Sequence, residues 1–373
     1  MKKSSILMIY TGGTIGMRQD PQDLTLKPFD FHQILEEVPE LKKFAIRIDS
    51  YTFNPLIDSS DVEPSFWQAL ASLIHERYEE YDGFVVLHGT DTMAYSASAL
   101  SFMLENLAKP VVFTGSQLPI GVPRTDGKEN LISAVEIASA KDSEGHARVP
   151  EVSIFFNSKL LRGNRSIKVS SEDFSAFLSP NCLPLAEAGI SIKYNDSVIR
   201  KPVRWDAPLR ISTSLDTRVS ILKVHPGITP QVMKYFLCGP DIRAAIIETY
   251  GSGNAPSRQW FLDIVKEASG MGKVLMNVTQ CLSGTVNMDI YATGKALEKA
   301  GVVSGVDITT ESALAKLFYL MGKTPDNEWV ESMLGDNLQG EISLYLLPFG
   351  NNLVNCNGFL EGFWPPEAAR KDN

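Results

Sequence analysis

Short, continuously apolar runs alternate along this chain with longer segments in which apolar side chains return every three or four positions. Runs at 5–10, 84–88, 110–114 and 152–156 are each bounded by glycine, proline or polar residues. Such runs predict strands buried on both faces. Between the first two, Phe66, Trp67, Leu70, Leu73, Ile74 and Tyr78 recur at helical spacing, with Ser60 or Asp61 as candidate cap and Pro64 near the first turn. Residues 92–107 and 126–140 read as further helices. Strand followed by helix, several times over, predicts an α/β fold: a mostly parallel sheet flanked by helices.

The pattern loosens across 189–216, where charged residues and Pro202, Trp205 and Pro208 interrupt any period. It resumes with strands expected at 219–224, 243–248 and 273–279 and helices near 257–270, 289–300 and 310–322. The 373 residues also exceed the roughly 250–300 at which a single core stops growing. We therefore expect two α/β domains: a larger one over 1–200, a linker over 201–217 and a smaller one over 218–373. Two apolar runs within 341–364 receive no role, and no internal repeat of solenoid length is visible.

Composition narrows the function without naming it. Apolar residues make up 44% and charged residues 21%, ordinary globular usage that gives no reason to expect disorder. The net charge of −9 lacks the basic surface that a phosphate backbone requires, so nucleic acid is not expected as a partner. Met1-Lys2-Lys3 resembles the start of a secretory signal, yet only a short apolar stretch precedes Thr11-Gly12-Gly13. A signal core needs about 7–15 apolar residues, so a first core strand in a cytoplasmic protein is expected, with no membrane partner. Cys182, Cys238, Cys281 and Cys356 form no Cys-x-x-Cys pair, which predicts neither a zinc site nor a disulfide framework but buried small hydrophobes.

Candidate chemistry sits where strands run out. In open α/β sheets ligands bind outside the carboxyl ends of the strands. Thr14 lies there, in Thr11-Gly12-Gly13-Thr14-Ile15-Gly16, and so does Thr90, in His88-Gly89-Thr90-Asp91-Thr92. The glycine turn has the spacing of neither a P-loop nor a dinucleotide fingerprint, and it suits a small polar substrate better than a nucleotide. Thr90 or Asp91 could instead cap the helix expected to begin near Met93. Lys168, in the basic loop after the fourth run, is either solvated or, if buried beside Asp91, a proton partner for Thr90. Asp58-Ser59-Ser60-Asp61 offers hydroxyls and amides to an amino acid, or a cap to the following helix.

Together, Thr11-Gly12-Gly13-Thr14-Ile15-Gly16, Asp58-Ser59-Ser60-Asp61, His88-Gly89-Thr90-Asp91-Thr92 and Arg162-Gly163-Asn164-Arg165 resemble, in order and spacing, the bacterial cytoplasmic type I L-asparaginases. The likeness continues through Phe113-Thr114-Gly115-Ser116-Gln117-Leu118-Pro119 and Tyr250-Gly251-Ser252-Gly253-Asn254 to Asn277-Val278-Thr279-Gln280-Cys281, and spans residues 4 to about 340. The resemblance implies hydrolysis of the side-chain amide of L-asparagine to L-aspartate and ammonia, with no cofactor or metal. It makes Thr14 the nucleophile, joins Thr90, Asp91 and Lys168 in a relay, and assigns Ser59, Ser60 and Asp91, with Asp58 beside them, to the α-amino and α-carboxylate groups of the substrate. It also implies a homodimer or homotetramer in which Asn254 reaches into a neighbour's site. Physical chemistry adds backbone amides of the Thr90 turn as oxyanion donors and the polar stretch 17–27, with Asp20 and Pro21, as a lid.

Two positions depart from the family. The lid lacks the usual tyrosine, with Leu24 near its place, which leaves Tyr10 as a conceivable substitute. A regulatory asparagine site in the type I enzymes uses an arginine where this chain has Glu248, so weak or absent cooperativity is expected. Rival readings within the fold are a glutaminase of mixed specificity and the ammonia-producing subunit of a tRNA amidotransferase, which is expected to carry an additional N-terminal domain. A catalytically dead asparagine sensor is the rival from another class. A serine hydrolase finds no Gly-x-Ser-x-Gly elbow.

Overall fold

Alternate residues of the first apolar run enter two different cores: Ile6 and Met8 join one cluster of buried side chains, Leu7 and Ile9 the other. A strand sealed on both faces follows directly from that pattern. The computed structural model describes residues 3–19, 26–28 and 36–343. β1 (Ser5–Tyr10) runs parallel between β2 (Arg47–Thr52) and β3 (Gly83–Leu87). β4 (Val111–Thr114) and β5 (Val152–Phe156) continue the parallel order, and β6 (Lys159–Arg162) turns back antiparallel. With β7 (Ala186–Ala188) and β8 (Ile192–Tyr194) the sheet has eight strands in the order β8-β7-β6-β5-β4-β3-β1-β2.

The smaller unit is a parallel sheet of four strands in sequence order: β9 (Val219–Lys223), β10 (Ala244–Thr249), β11 (Val274–Thr279) and β12 (Val302–Ser304). α1 (Pro64–Glu76) and α2 (Met93–Met103) cover one face of the large sheet and α3 (Gly127–Ser139) the other. α4 (Pro230–Cys238), α5 (Gln259–Gly270) and α6 (Ala292–Lys299) cover the outer face of the small sheet. α7 (Thr310–Lys323) and α8 (Asn327–Leu334) fill the space between the two units.

One hydrophobic cluster therefore spans both sheets. Phe84 and Phe113 of the large sheet, Leu100 and Phe102 of α2, Leu317 and Phe318 of α7, and Ile246 and Met276 of the small sheet belong to it. α2 packs along α7 at its centre. Its sequence, MAYSASALSFM, has no polar face and all but one of its residues are buried, as required of a helix enclosed by protein on every side.

Several elements depart from the pattern-based expectations. β2 reads Arg-Ile-Asp-Ser-Tyr-Thr; as a polar edge strand it carries no apolar run to reveal it. β12, α4 and α8 are also additions. The helix expected over 92–107 stops at Met103, because Leu104–Glu105 pairs antiparallel with Arg210–Ile211, inside the stretch where no period was visible. Neither Ser60 nor Asp61 caps α1, whose N-cap is Glu63 without a side-chain bond. Of the cysteines, Cys182 is buried as expected, Cys238 half-buried, and Cys281 exposed in the turn that follows β11. In the segment expected to be a lid, Met17–Gln19 pairs antiparallel with Leu26–Pro28, while Asp20, Pro21 and Leu24 lie outside the described residues, as do Cys356 and the apolar sequence beyond residue 343.

Charge is also buried between the units. Arg165 grips Asp307 with both ends of its guanidinium, at 3.0 and 2.8 Å, and donates to the Glu341 carbonyl at 2.6 Å. Burial alone would raise the pKa of Asp307, but Arg165 and the N–H of Ser343 hold it below the ordinary carboxylate value. Removing one partner of such a pair strands the other charge, at a cost of about 3–5 kcal/mol. Asp307→Ala should lower stability to urea by that order at neutral pH. Because the folded pKa is depressed, the stabilisation is complete above about pH 4 and fades as pH falls through the folded value. The gap in urea midpoint between wild type and variant should therefore narrow at pH 3; an undiminished gap there would contradict this account.

Candidate active site

Three turns meet at the carboxyl ends of β1 and β3. Gly12 and Gly13 have φ of 134° and 89°. A Cβ on Gly12 would lie 2.2 Å from the Ile57 carbonyl oxygen, and one on Gly13 would lie 2.5 Å from the Gly89 nitrogen. Only glycine permits both the conformation and the approach. Gly12 and Gly13 thereby lie directly against the loops that carry Ser59 and Thr90, and Thr14 follows them, half-buried, in a 3-10 turn over Thr14–Gly16. The Thr11 amide donates to the Leu87 carbonyl at 3.1 Å, and the Ile57 amide donates to the Thr11 carbonyl at 2.8 Å, which ties all three together.

The Ser59 turn is linked to the Thr90 turn in its own right. Thr92 Oγ1 donates to the Ser59 carbonyl at 2.6 Å, and the Asp91 amide faces Ser59 Oγ at 3.4 Å. Ser59 is buried, whereas Ser60 and Asp58 are exposed beside it. Asp58 accepts from the Ser60 amide and hydroxyl, both at 2.9 Å, and these bonds hold its carboxylate below the usual range. Asp58 is thus the cap of the short Ser59–Asp61 turn.

Lys168 reaches this cluster from a two-residue strand beyond β6. Its Nζ donates to Thr90 Oγ1 at 2.8 Å and to Asp91 Oδ1 at 2.7 Å. The lysine is largely shielded, with 20% of its side chain exposed, while Asp91 is 60% exposed and so open to a ligand in the crevice. Neither Thr90 nor Asp91 caps α2: the N-cap is Thr92, and it makes no side-chain cap bond. A hydroxyl, an ammonium and a carboxylate in contact can pass a proton along the series, the requirement for activating an alcohol or a water.

Tyr10 does not fill the role of the missing lid tyrosine. Its hydroxyl points inward and donates to the Gly16 carbonyl at 3.0 Å, and burial pushes its pKa up to about 12. Asn254 stands in the loop after β10, where its Oδ1 accepts from the Thr293 hydroxyl and its backbone pairs with Tyr250. It belongs to the small sheet's edge of the molecule, not to the three-turn cluster. Glu248, at the end of β10, accepts from the Thr310 hydroxyl at 2.7 Å. Burial, augmented by the charge of Glu248, pushes the neighbouring Glu311 carboxyl up.

His88 supports the site in a way the sequence did not reveal. Its Nδ1 lies 2.7 Å from the Gly89 carbonyl, and its Nε2 lies 3.0 Å from Ser96 Oγ. A carbonyl only accepts, so Nδ1 carries the proton and Nε2 receives the Ser96 hydroxyl, whose oxygen in turn accepts Trp67 Nε1–H at 2.9 Å. Complete burial depresses the histidine pKa to about 4, so the ring is neutral. The position next to Gly89 was the only hint available, since Ser96 and Trp67 are remote in sequence.

Among the described residues no group of three or more His, Cys, Asp or Glu side chains could hold a metal ion, and no helix is long and apolar enough to cross a membrane. Residues 5–200 match the asparaginase N-terminal family and residues 218–334 the glutaminase/asparaginase C-terminal domain. The chain is 44% identical to L-asparaginase 1 of Escherichia coli K12 over 354 residues, covering 92% of this chain and 99% of that one. It is 34% identical to a glutamyl-tRNA(Gln) amidotransferase component of Methanothermobacter thermautotrophicus, over 91% of this chain and 77% of that one. The crystal structure of L-asparaginase I from Vibrio cholerae superposes with a TM-score of 0.81 at 40% identity, covering 92% of this chain and all of that one. With its two sheets, its glycine turn and its Thr90–Asp91–Lys168 contact set in that frame, the chain belongs to the asparaginase family.

Proposed function

We propose that the protein hydrolyses the side-chain amide of L-asparagine to L-aspartate and ammonia, with Thr14 as nucleophile. The observation that carries this reading is the contact of Lys168 Nζ with both Thr90 Oγ1 and Asp91 Oδ1. A threonine hydroxyl is a weak nucleophile until a base relieves it of its proton. In the first half-reaction Thr14 Oγ gives up its proton and attacks the amide carbon, the C–N bond breaks, the departing nitrogen takes up that proton and leaves as ammonia, and an ester on Thr14 remains. In the second, water attacks that ester while the Thr90–Lys168–Asp91 series accepts its proton, the acyl C–O bond breaks, and a proton passes to Thr14 Oγ as aspartate leaves, which restores Thr14 and the series.

Ser59, Ser60 and Asp91 would hold the substrate's α-carboxylate and α-amino groups, with Asp58 fixing the turn that presents Ser60. Backbone amides of the Thr90 turn would meet the developing oxyanion; one such donor is worth roughly 100- to 1,000-fold in rate. A cytoplasmic homodimer or homotetramer, in which Asn254 of one subunit completes the site of the next, is part of the same proposal. Its support is the family membership and the placement of Asn254 away from the three turns of its own chain.

Thr14→Ala and Lys168→Met should each reduce ammonia release from L-asparagine by at least about 100-fold while leaving the circular dichroism spectrum unchanged. Retention of wild-type turnover by Thr14→Ala would sink the assignment. The same assay with L-glutamine ranks the two amides, which differ by one methylene worth about 1–3 kcal/mol in such a pocket. Glu248, bonded to Thr310 and beside Glu311, offers no cation to a carboxylate effector. The rate should therefore rise hyperbolically with asparagine concentration; a sigmoidal curve would overturn that expectation.

A further inference from the structure

A cavity of about 210 Å³ opens at the end of the large sheet opposite the three turns. Its wall includes Leu104 and Leu107, just past the carboxyl end of α2, and Pro150 and Glu151, just before β5. α2 starts immediately after Thr92 and has eleven residues, so its length of about 16 Å separates the cavity from the catalytic turn. The wall also includes Arg162, the segment 200–204, and Leu338 and Gln339.

Charge in this cavity does not balance. Glu151 is taken by Arg162, whose Nε and Nη2 donate to it at 2.6 and 3.2 Å, and its Oε1 also accepts the Arg200 backbone N–H at 2.6 Å. Arg204 is paired with Asp206 at 2.8 Å. Arg200 has no such partner: its guanidinium donates to two neutral acceptors, Gln339 Oε1 at 3.1 Å and the Leu338 carbonyl at 3.2 Å. Lys201 donates to the Arg148 carbonyl at 3.1 Å. Among the described residues neither cation has a carboxylate within ion-pair distance. Desolvation lowers the pKa of both; the Arg200 guanidinium is the one substantially withdrawn from water, whereas Lys201 is exposed at the rim, its ammonium 5.8 Å from the centre of the Trp205 ring.

Three of the five N–H bonds of Arg200 remain for a ligand, in the planar fork that matches carboxylate and phosphate oxygens. We infer that the cavity is a binding site for a small oxyanion, a phosphate or carboxylate group on a compact body, held by Arg200 and Lys201 against the apolar wall of Leu104, Leu107, Pro150 and Val203. The site is separate from the amide-hydrolysing turns. It nevertheless shares a loop with them: Gln339, which Arg200 holds by its side chain, accepts Asn164 Nδ2 at its carbonyl, in the turn that leads to Lys168.

Calorimetric titration of the full chain at ionic strength fixed with NaCl tests this, with inorganic phosphate in one arm and acetate in the other. Saturable binding of at least one probe is expected, and the arm that binds identifies the headgroup. Arg200→Gln should weaken it about tenfold or more, and Lys201→Gln in the same direction by about threefold or more, as expected for the loss of charge-assisted bonds. Arg204→Gln should change it less than about twofold, since that cation is already paired. Lack of saturable binding in both arms, or wild-type affinity in Arg200→Gln, overturns the assignment. Should Arg200→Gln prove misfolded by circular dichroism, the exposed Lys201→Gln decides, and unchanged affinity there is likewise fatal.

Discussion

A guanidinium fully sealed from water is costly unless a carboxylate answers it, and the pairing of Arg165 with Asp307 imposes that constraint across the two sheets. Arg165 lies at the end of the short turn after β6, a few residues before Lys168; Asp307 follows β12. Neither side of the bond makes sense in an isolated domain, because either charge would be stranded. The pair therefore fixes how the small unit sits on the large one. It also fixes where the chain emerges to deliver an ammonium to Thr90. The hydrophobic cluster that α2 shares with α7 gives that arrangement its bulk, and the ion pair gives it its register.

The three turns obey a second constraint, one of distance between backbones. Residues from separate strands can act on one substrate only if the loops carrying them nearly touch, and side chains on those loops would hold them apart. Gly12 and Gly13 remove that obstacle, so the backbone just before Thr14 packs directly on the Ile57 and Gly89 backbones that lead into the Ser59 and Thr90 turns. The hydroxyl of Thr92, spent on the Ser59 carbonyl, shows the remaining cost of the arrangement: a polar group at the mouth of the crevice is used for architecture.

Buried parallel strands were legible because sealing both faces demands an unbroken apolar run, and β1, β3, β4 and β5 fall where such runs occur. β2 was not, since an edge strand satisfies half its backbone with solvent and needs no apolar sequence. The short α4 and α8, of nine and eight residues, were not read from the pattern. At the site, position at strand ends pointed to Thr14, Thr90 and Asp91, while Lys168, open to a solvated reading on spacing alone, was singled out by the family resemblance; Thr90, Asp91 and Lys168 are in contact. Caps were read less well: Asp58, not Ser60 or Asp61, does the capping, and of a different turn. The Trp67–Ser96–His88 chain was invisible, because its members belong together only after α1 and α2 have packed.

That chain leaves His88 with every ring nitrogen committed and with a pKa near 4. Between about pH 5 and 8, where an ordinary histidine changes charge, this one stays uncharged, so the scaffold behind Thr90 is indifferent to moderate swings in acidity. The other side of this constancy falls on the unfolded chain, whose imidazole takes up a proton near pH 6.5 while the folded one refuses it. Acidification thus draws the population toward the denatured ensemble through a residue that never titrates in the working enzyme.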